Sequence, residues 1–221
     1  MKPFLLVFDL DGTLVDSVPD LAAAANALLH EEGRPPLAQD AVRGMIGDGI
    51  PALLARALAA AGDPRGAATL LPRFLALYEA NATRLSRPYP AVPETLAELR
   101  RRGYRTAVCT NKPTHAAHVV LRGLGLLPLF DGIAGGDYFA VKKPAPGHLL
   151  GLIAELGGAV ERAAMIGDNE NDAAAAHAAR VPLVLMRYGY ARSDPETLGA
   201  AALLDGFAGL PRALEQLGLG P

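Results

Sequence analysis

Five short apolar runs in this chain each stop abruptly at a polar residue or a glycine: Phe4 to Phe8, Thr106 to Cys109, Gly132 to Ala134, Ala164 to Ile166 and Leu183 to Met186. A short run without polar alternation is what a strand covered on both faces requires, because both sets of side chains then meet apolar layers. Helix-length segments lie between the later runs, at Pro93 to Arg102, Thr114 to Leu124, Pro146 to Leu156 and Glu170 to Arg180. From about residue 89 onward strand and helix therefore alternate, which predicts an α/β fold built on a doubly wound parallel sheet. Such sheets bind ligands at the carboxyl ends of their strands. The polar residues at those ends become the candidates: Asp9 and Asp11, Thr110 to Lys112, Gly135 to Asp137 with Lys143, and Asp168 to Asp172.

The stretch from Ser17 to Arg87 breaks this alternation. It reads as helix after helix, at Asp20 to Glu31, Gln39 to Met45, Ile50 to Ala61 and Arg65 to Ala82, without a convincing strand. The expectation is a catalytic core formed by residues 1–16 and 88–221, interrupted by an all-helical insert over 17–87. Pro88, Pro90 and Pro93 crowd the return to the core, where fixed φ angles would stiffen the hinge.

Composition excludes several classes of partner. With 21 basic and 23 acidic residues and a formal charge of -2, the chain has no overall attraction for nucleic acid. The apolar run near the start is short and contains Asp9, and no stretch approaches about 18 uninterrupted apolar residues, so no membrane span is expected. The single cysteine, Cys109, cannot form an internal disulfide, which together with the lack of a leader points to the cytoplasm. No heptad seam marks an assembly, and a monomer or homodimer is expected.

Residues i and i+2 of a strand point the same way, so Asp9 and Asp11 would face one spot, with Gly12 turning the chain after them. Taken alone, such a pair is also a common turn motif. Asp168 follows the fourth run and Asp172 lies one helical turn on; Asp168 alone could equally be an N-cap. Four carboxylates in one cleft stay ionised only beside a cation, and a hard oxygen-ligated ion such as Mg2+ suits them. Thr110 and Asn111, with Lys142 or Lys143, would add the donors and positive charge that a phosphate needs, although singly each is an ordinary turn or surface residue.

The segments FDLDGTLVDS, VCTNKP, KKPAP and IGDNEND resemble, in order, the four motifs of the haloacid dehalogenase-like hydrolase superfamily. The resemblance implies a Rossmann-like core with a helical cap inserted after the first motif. It implies that Asp9 is a nucleophile forming an aspartyl phosphate and that Asp11 is the acid for the leaving alcohol and then the base for water. By the same resemblance Thr110 and Lys143 hold the phosphate, with Lys142 the runner-up for the lysine role, and Gly12, Thr13 and Asn111 line the substrate. Asp168 holds Mg2+ with Asp9 and the carbonyl of Asp11, and Asp172 is a metal ligand or a support. Dehalogenases of this superfamily lack the second acid of the first motif, so Asp11 argues against that branch, and Thr13 argues against the phosphoglucomutases.

Within the superfamily, FDLDGTLVDSVPDL, MIGDGIPALLARAL, VCTNKPT, the GGD before KKPAP, and RYGYA look most like the bacterial phosphoglycolate phosphatases. This implies hydrolysis of a small phosphate ester, 2-phosphoglycolate. Related branches act on sugar phosphates, including N-acetylmuramic acid 6-phosphate, or on pyrophosphate. A catalytically inactive metabolite-binding relative is the alternative of another class, although none of its expected losses, at Asp9, Asp11, Lys143 or Asp168, is present. Arg43 and the Gly47–Asp48–Gly49 turn are expected to read the substrate carboxylate or shape its pocket; the competing reading is a solvated arginine and a plain tight turn.

Overall fold

A computed structural model describes residues 3–221, so the first two positions of the expected core segment lie outside the described residues. The chain begins with β1 (Leu5–Phe8) and β2 (Val15–Asp16), then runs through four helices: α1 (Val18–Glu31), α2 (Gln39–Arg43), α3 (Ile50–Ala60) and α4 (Ala67–Glu79). It returns through β3 (Arg87–Pro88) to α5 (Val92–Arg101), β4 (Arg105–Cys109), α6 (Thr114–Gly123), β5 (Gly132–Ala134) and α7 (Pro146–Glu155). It finishes with β6 (Ala163–Gly167), α8 (Glu170–Ala179), β7 (Leu183–Met186), β8 (Ala202–Leu204) and α9 (Leu210–Gln216).

Six strands form one sheet in the order β5-β4-β1-β6-β7-β8, every neighbouring pair parallel. The first strand thus lies between β4 and β6, with Phe8 level with Val108 on one side and Ile166 on the other. That register brings Asp9, Thr110 and Asp168 out at one edge, where the winding direction reverses and such sheets open a crevice. Two backbone bonds carry the ladder one residue past the strands, Asp9 N–H to the Ile166 carbonyl at 2.9 Å and Thr110 N–H to the Ala134 carbonyl at 3.0 Å.

Alternation along each strand divides the core into two layers. Leu5, Val7, Ala107, Cys109, Met165 and Leu185 pack with Leu149, Leu152 and Ile153 of α7 and with the alanines of α8. Leu6, Phe8, Val108, Ile166, Val184 and Met186 pack on the opposite face with α5, α6 and α9. The alanine-rich stretch 173–176 lies in the helix expected over Glu170 to Arg180, and its small residues allow α8 to lie close on the sheet. Phe8, fully buried against Phe130 and Phe207, anchors the second layer; truncating such a ring costs about 3–5 kcal/mol.

The helices α1–α4 extend this second layer, since Leu21, Leu28, Leu53, Phe74 and Tyr78 join the same apolar cluster. The chain leaves and re-enters the sheet region through the antiparallel ribbon β2–β3, pairing Val15 with Pro88 and Asp16 with Arg87. At its base the buried carboxylate of Asp20 accepts the N–H of Ser86 at 2.7 Å and that of Leu85 at 3.0 Å, which clips the outgoing helix to the returning strand. Within the 17–87 stretch the regular elements are α1–α4, joined by turns and loops, and Arg87 at its end opens β3, a strand that the sequence did not show. The edge strand β8 and the helix α9 were also unanticipated, because β8 is only half-buried and too short to read as an apolar run. Among the described residues no helix is long and apolar enough to cross a membrane.

Candidate active site

The edge of the sheet carries a layered arrangement of charge. Asp9, 5 % exposed, directly follows β1, and its Oδ1 stands 3.0 Å from the Lys143 ammonium. Lys143 also donates to Asp172 Oδ1 at 2.6 Å. Of the two candidate lysines it is Lys143 that meets Asp9, whereas Lys142 turns outward and donates to the Asp48 carbonyl at 2.7 Å. The peptide around Lys143 is fixed by His148, whose Nδ1 accepts the Lys143 N–H at 3.3 Å. The other ring nitrogen lies 3.0 Å from the Gly135 carbonyl, so the proton resides on Nε2. Burial and the nearby Lys143 charge push His148 down to about 4, keeping the ring neutral.

Asp168 is fully buried and doubly accepting: Oδ1 takes the Thr13 hydroxyl at 2.8 Å and Oδ2 takes the Tyr190 N–H at 2.7 Å. Both oxygens of Asp172 are committed as well, Oδ1 to Lys143 and Oδ2 to the N–H groups of Asp168 and Asn169 at 2.9 and 3.2 Å. The residue that caps α8 is Asn169, not Asp168; its side chain accepts the Asn171 N–H at 2.9 Å. Asp168 thus stands one position before the cap, directly after β6.

One oxygen each from Asp9, Asp168 and Asp172 lies within 4.8 Å of the others, all three residues buried. Three carboxylates face one ammonium here, a deficit of two positive charges that suits a divalent ion, and their oxygens are the hard donors that Mg2+ takes. Asp9 Oδ1, although buried, has the Lys143 ammonium 3.0 Å away as an ion-pair partner without a well-aligned hydrogen bond, and so retains capacity toward a cation. Burial raises the Asp9 carboxyl to about 7 against the opposing Lys143 charge, and raises Asp168 well above the ordinary carboxylate range. The chemistry of the donor set therefore fits a divalent metal.

The loop from Leu10 to Val15 is folded back on itself by Leu14 and Val15 N–H bonds to the Leu10 carbonyl. Gly12 sits in it at φ +93, where a Cβ would come within 2.4 Å of Asp168 Oδ2; only glycine permits this approach. The Thr13 hydroxyl, expected at the substrate, instead ties this loop to Asp168, while the Tyr188 hydroxyl holds the Thr13 carbonyl at 2.7 Å. Thr110 is buried at the end of β4, its Oγ1 accepting the Lys112 N–H at 3.2 Å.

Lys112 closed the candidate run Thr110 to Lys112 in the sequence but was given no role there. Its ammonium lies between both oxygens of Asp11, at 2.9 and 2.8 Å, and above the Tyr78 ring, 4.7 Å from its centre. Burial opposes its charge, but Asp11 outweighs that, and the amine is held above the usual lysine range. Its place directly after Thr110 and Asn111 was the only signal, and in sequence a lone lysine resembles a solvated one.

The turn Gly47–Asp48–Gly49 reaches across from the insert to this edge. The Asn111 amide donates to the carbonyls of Gly47 and Lys143 at 3.0 and 2.9 Å. Asn171 donates to Asp48 Oδ1 at 2.7 Å, Arg192 donates to Asp48 Oδ2 at 2.8 Å, and Arg56 pairs with the same oxygen. Gly49, at φ +91, lies so close that a Cβ would stand 2.8 Å from the Asn111 carbonyl oxygen. Between this turn and the sheet remains a cavity of about 20 Å³, lined by Asp9, Asp11, Thr110, Asn111 and Lys112 below and by Leu21, Ile46, Ile50 and Leu53 above. A space of this size admits a water or two and no organic ester. Arg43, expected to read a substrate carboxylate, is not among the lining residues; its guanidinium stacks 5.1 Å from the centre of the Tyr190 ring.

Cys109 lies behind the site, buried beneath it, and burial pushes its thiol up to about 12. Such a thiol is inert.

Comparison with known proteins agrees with this geometry. Residues 5–180 match the haloacid dehalogenase-like hydrolases. The phosphoglycolate phosphatase of Caulobacter vibrioides is 44 % identical over 211 residues, covering 94 % of this chain and 89 % of its own length. The crystal structure of a predicted phosphoglycolate phosphatase from Haemophilus somnus superposes with a TM-score of 0.91 at 33 % identity, over 96 % of this chain and 98 % of that one. CbbY from Rhodobacter sphaeroides, crystallised in complex with phosphate, superposes with a TM-score of 0.83 at 26 % identity, over 97 % and 100 % of the two chains. With its motifs on adjoining strand ends of one parallel sheet and a match over most of its length, this chain belongs to the haloacid dehalogenase-like hydrolase family.

Proposed function

We propose that this enzyme is a magnesium-dependent phosphatase that hydrolyses 2-phosphoglycolate to glycolate and phosphate through an aspartyl phosphate on Asp9. The observation that carries the reading is the pairing at one sheet edge of a buried Asp9, held beside the Lys143 ammonium at 3.0 Å, with Asp11 two residues on. The names of relatives 44 % and 43 % identical, the phosphoglycolate phosphatases of Caulobacter vibrioides and Rhodospirillum rubrum, support the choice of substrate.

On this reading an Asp9 carboxylate oxygen attacks phosphorus and the ester oxygen departs as an alcohol, taking its proton from Asp11. Asp11 then removes a proton from the water that attacks the phosphorus of the aspartyl phosphate; the bond from Asp9 to phosphorus breaks, the Asp9 carboxylate is regenerated and inorganic phosphate is released. Lys143 and the Thr110 hydroxyl compensate the phosphoryl charge from fixed positions at the ends of the sheet strands, with little reorganisation needed. Asp9, Asp168 and the Asp11 carbonyl would hold the magnesium, which when bound supplies charge neutralisation for the phosphoryl group and keeps the acids ionised. Asp172 serves this set by holding Lys143 and the 168–169 backbone. Residues 17–87 act as a cap that must lift for entry, since the cavity of about 20 Å³ is too small for the substrate. The buried, unreactive cysteine suits a cytoplasmic enzyme.

The test is a substrate panel with Mg2+ containing 2-phosphoglycolate, hexose phosphates, N-acetylmuramic acid 6-phosphate and pyrophosphate, ranked by kcat/KM. Phosphoglycolate should lead, and a sugar phosphate or pyrophosphate in first place would remove the substrate assignment. Asp9→Asn, nearly isosteric, should fold yet turn over nothing; full activity in that variant would remove the mechanism.

A further inference from the structure

A phosphatase for a small phosphorylated acid has to meet two anions, the phosphoryl group and the carboxylate, and only the first has been accounted for. Among the described residues lining the cavity, Lys112 is the one cationic side chain, the others being the acids Asp9 and Asp11, Thr110, Asn111, two glycines and four apolar residues of the insert. Lys143 is already engaged by Asp9 and Asp172, Lys142 by the Asp48 carbonyl, and Arg43 lies over Tyr190. A carboxylate entering this space thus finds a single complementary charge.

Position strengthens the argument. The Lys112 ammonium is 2.8 Å from Asp11, the group that must reach the ester oxygen. In phosphoglycolate the carboxylate is attached to the carbon that bears this oxygen. A substrate seated with its ester oxygen at Asp11 therefore carries its carboxylate to the neighbourhood of Lys112 without further chain. Lys112 itself is fully shielded, its side chain 0 % exposed and covered by the Tyr78 ring from α4 of the insert, so its charge acts in a water-poor setting where pairing is strong.

We propose that Lys112 is the specificity-determining residue of this site, moving from Asp11 onto the substrate carboxylate and thereby freeing the Asp11 carboxyl to take up a solvent proton, which it gives to the departing ester oxygen. A neutral analogue leaves the Lys112–Asp11 pair intact, and Asp11 stays clamped. Discrimination is then expected in kcat as well as in KM, because the second anion both binds and unlocks. This inference rests on the phosphoglycolate reading and adds the group that recognises the acid.

The experiment compares 2-phosphoglycolate with 2-hydroxyethyl phosphate, which replaces the carboxylate by a neutral hydroxymethyl group, in the wild type, Lys112→Gln and Lys112→Arg with Mg2+ present. The quantity read is the ratio of the two kcat/KM values. The wild type should favour the acid, and Lys112→Gln should reduce the ratio by at least about tenfold, the scale of one charge-assisted hydrogen bond. Lys112→Arg keeps the charge and should retain more of the ratio than the glutamine variant. A wild type that prefers the neutral ester would overturn the substrate reading and this inference together. A wild type that prefers the acid, with both substrates slowed in equal proportion in Lys112→Gln, would overturn the role of Lys112 alone. If Lys112→Gln does not fold, Lys112→Met decides: it keeps the length of the side chain without the charge and should reduce the ratio likewise, and a ratio equal to that of the wild type refutes the assignment.

Discussion

Asp172 holds the Lys143 ammonium at 2.6 Å in a pair almost closed to solvent, with side-chain exposures of 0 % and 1 %. The second oxygen of the same carboxylate takes the backbone N–H groups that open α8, so one side chain sets both the phosphate-facing cation and the chain around Asp168. Asp172→Asn would retain an acceptor for Lys143 but aim an amide donor at two backbone donors. Loss of one partner from a buried ion pair costs about 3–5 kcal/mol, and a destabilisation on that scale is expected. Urea unfolding checks it, and a midpoint equal to that of the wild type would show that the pair does not support the fold.

The insert meets the sheet edge at Gly49, whose φ of +91 and contact with the Asn111 carbonyl exclude any Cβ. Gly49→Ala should force this turn away from the core at a strain of about 1–3 kcal/mol, lowering kcat/KM by roughly tenfold or more. Arg192→Ala removes one arm from Asp48 in a pair with side chains 38 % and 27 % exposed. An exposed pair contributes about 0–1 kcal/mol, so global stability should hardly move. Solution scattering of the two variants should show a more open particle for Gly49→Ala; equal radii of gyration and unchanged kinetics would contradict the close-approach argument.

Metal binding should depend on pH near neutrality. Burial raises Asp9 to about 7, so below that pH a proton occupies the site and must leave before a cation can enter. Affinity for Mg2+ should therefore fall by about tenfold for each pH unit below about 7 and level off above it, if one proton is displaced. Titration calorimetry in buffers of different ionisation enthalpy reads the proton release directly; a pH-independent constant with no released proton would refute it.

His148 imposes a second pH dependence, on the fold itself. Its pKa of about 4 in the fold lies below the ordinary histidine value of 6.5, so between those limits the unfolded chain takes a proton that the fold refuses. Its contribution is complete above about pH 6.5 and is lost as pH falls toward about 4. Asp9, raised to about 7, works in the other sense because the fold retains its proton. The comparison of wild type with His148→Gln separates them: the loss of unfolding free energy on acidification from pH 7 to 5 should be smaller in the variant, and parallel curves would remove His148 as the source.

The parallel sheet was readable because buried strands leave uninterrupted apolar runs, as Ala164 to Ile166 and Leu183 to Met186 do, and because each run ended at a polar residue or a glycine. For the same reason β8 escaped notice: at the sheet edge its three residues are only half-buried and need no such run. Asp9, Asp11, Thr110, Lys143, Asp168 and Asp172 were all candidates in advance, since their positions relative to strand ends are a local property.

Contacts made across long stretches of chain were not readable in that way. Thr13 donates to a carboxylate 155 residues away, and Lys112 pairs with an acid 101 residues back; no local pattern encodes either. Arg43 was assigned to the substrate by its place in the insert, but the fold supplied Tyr190 as a nearer, stacking partner. The sequence by itself determined which residue types stand at the strand ends, because strand burial and period dictate them. Only the tertiary structure decided which charge faces which, because an ion pair forms by distance and shielding, and both depend on how the sheet and the insert close around it.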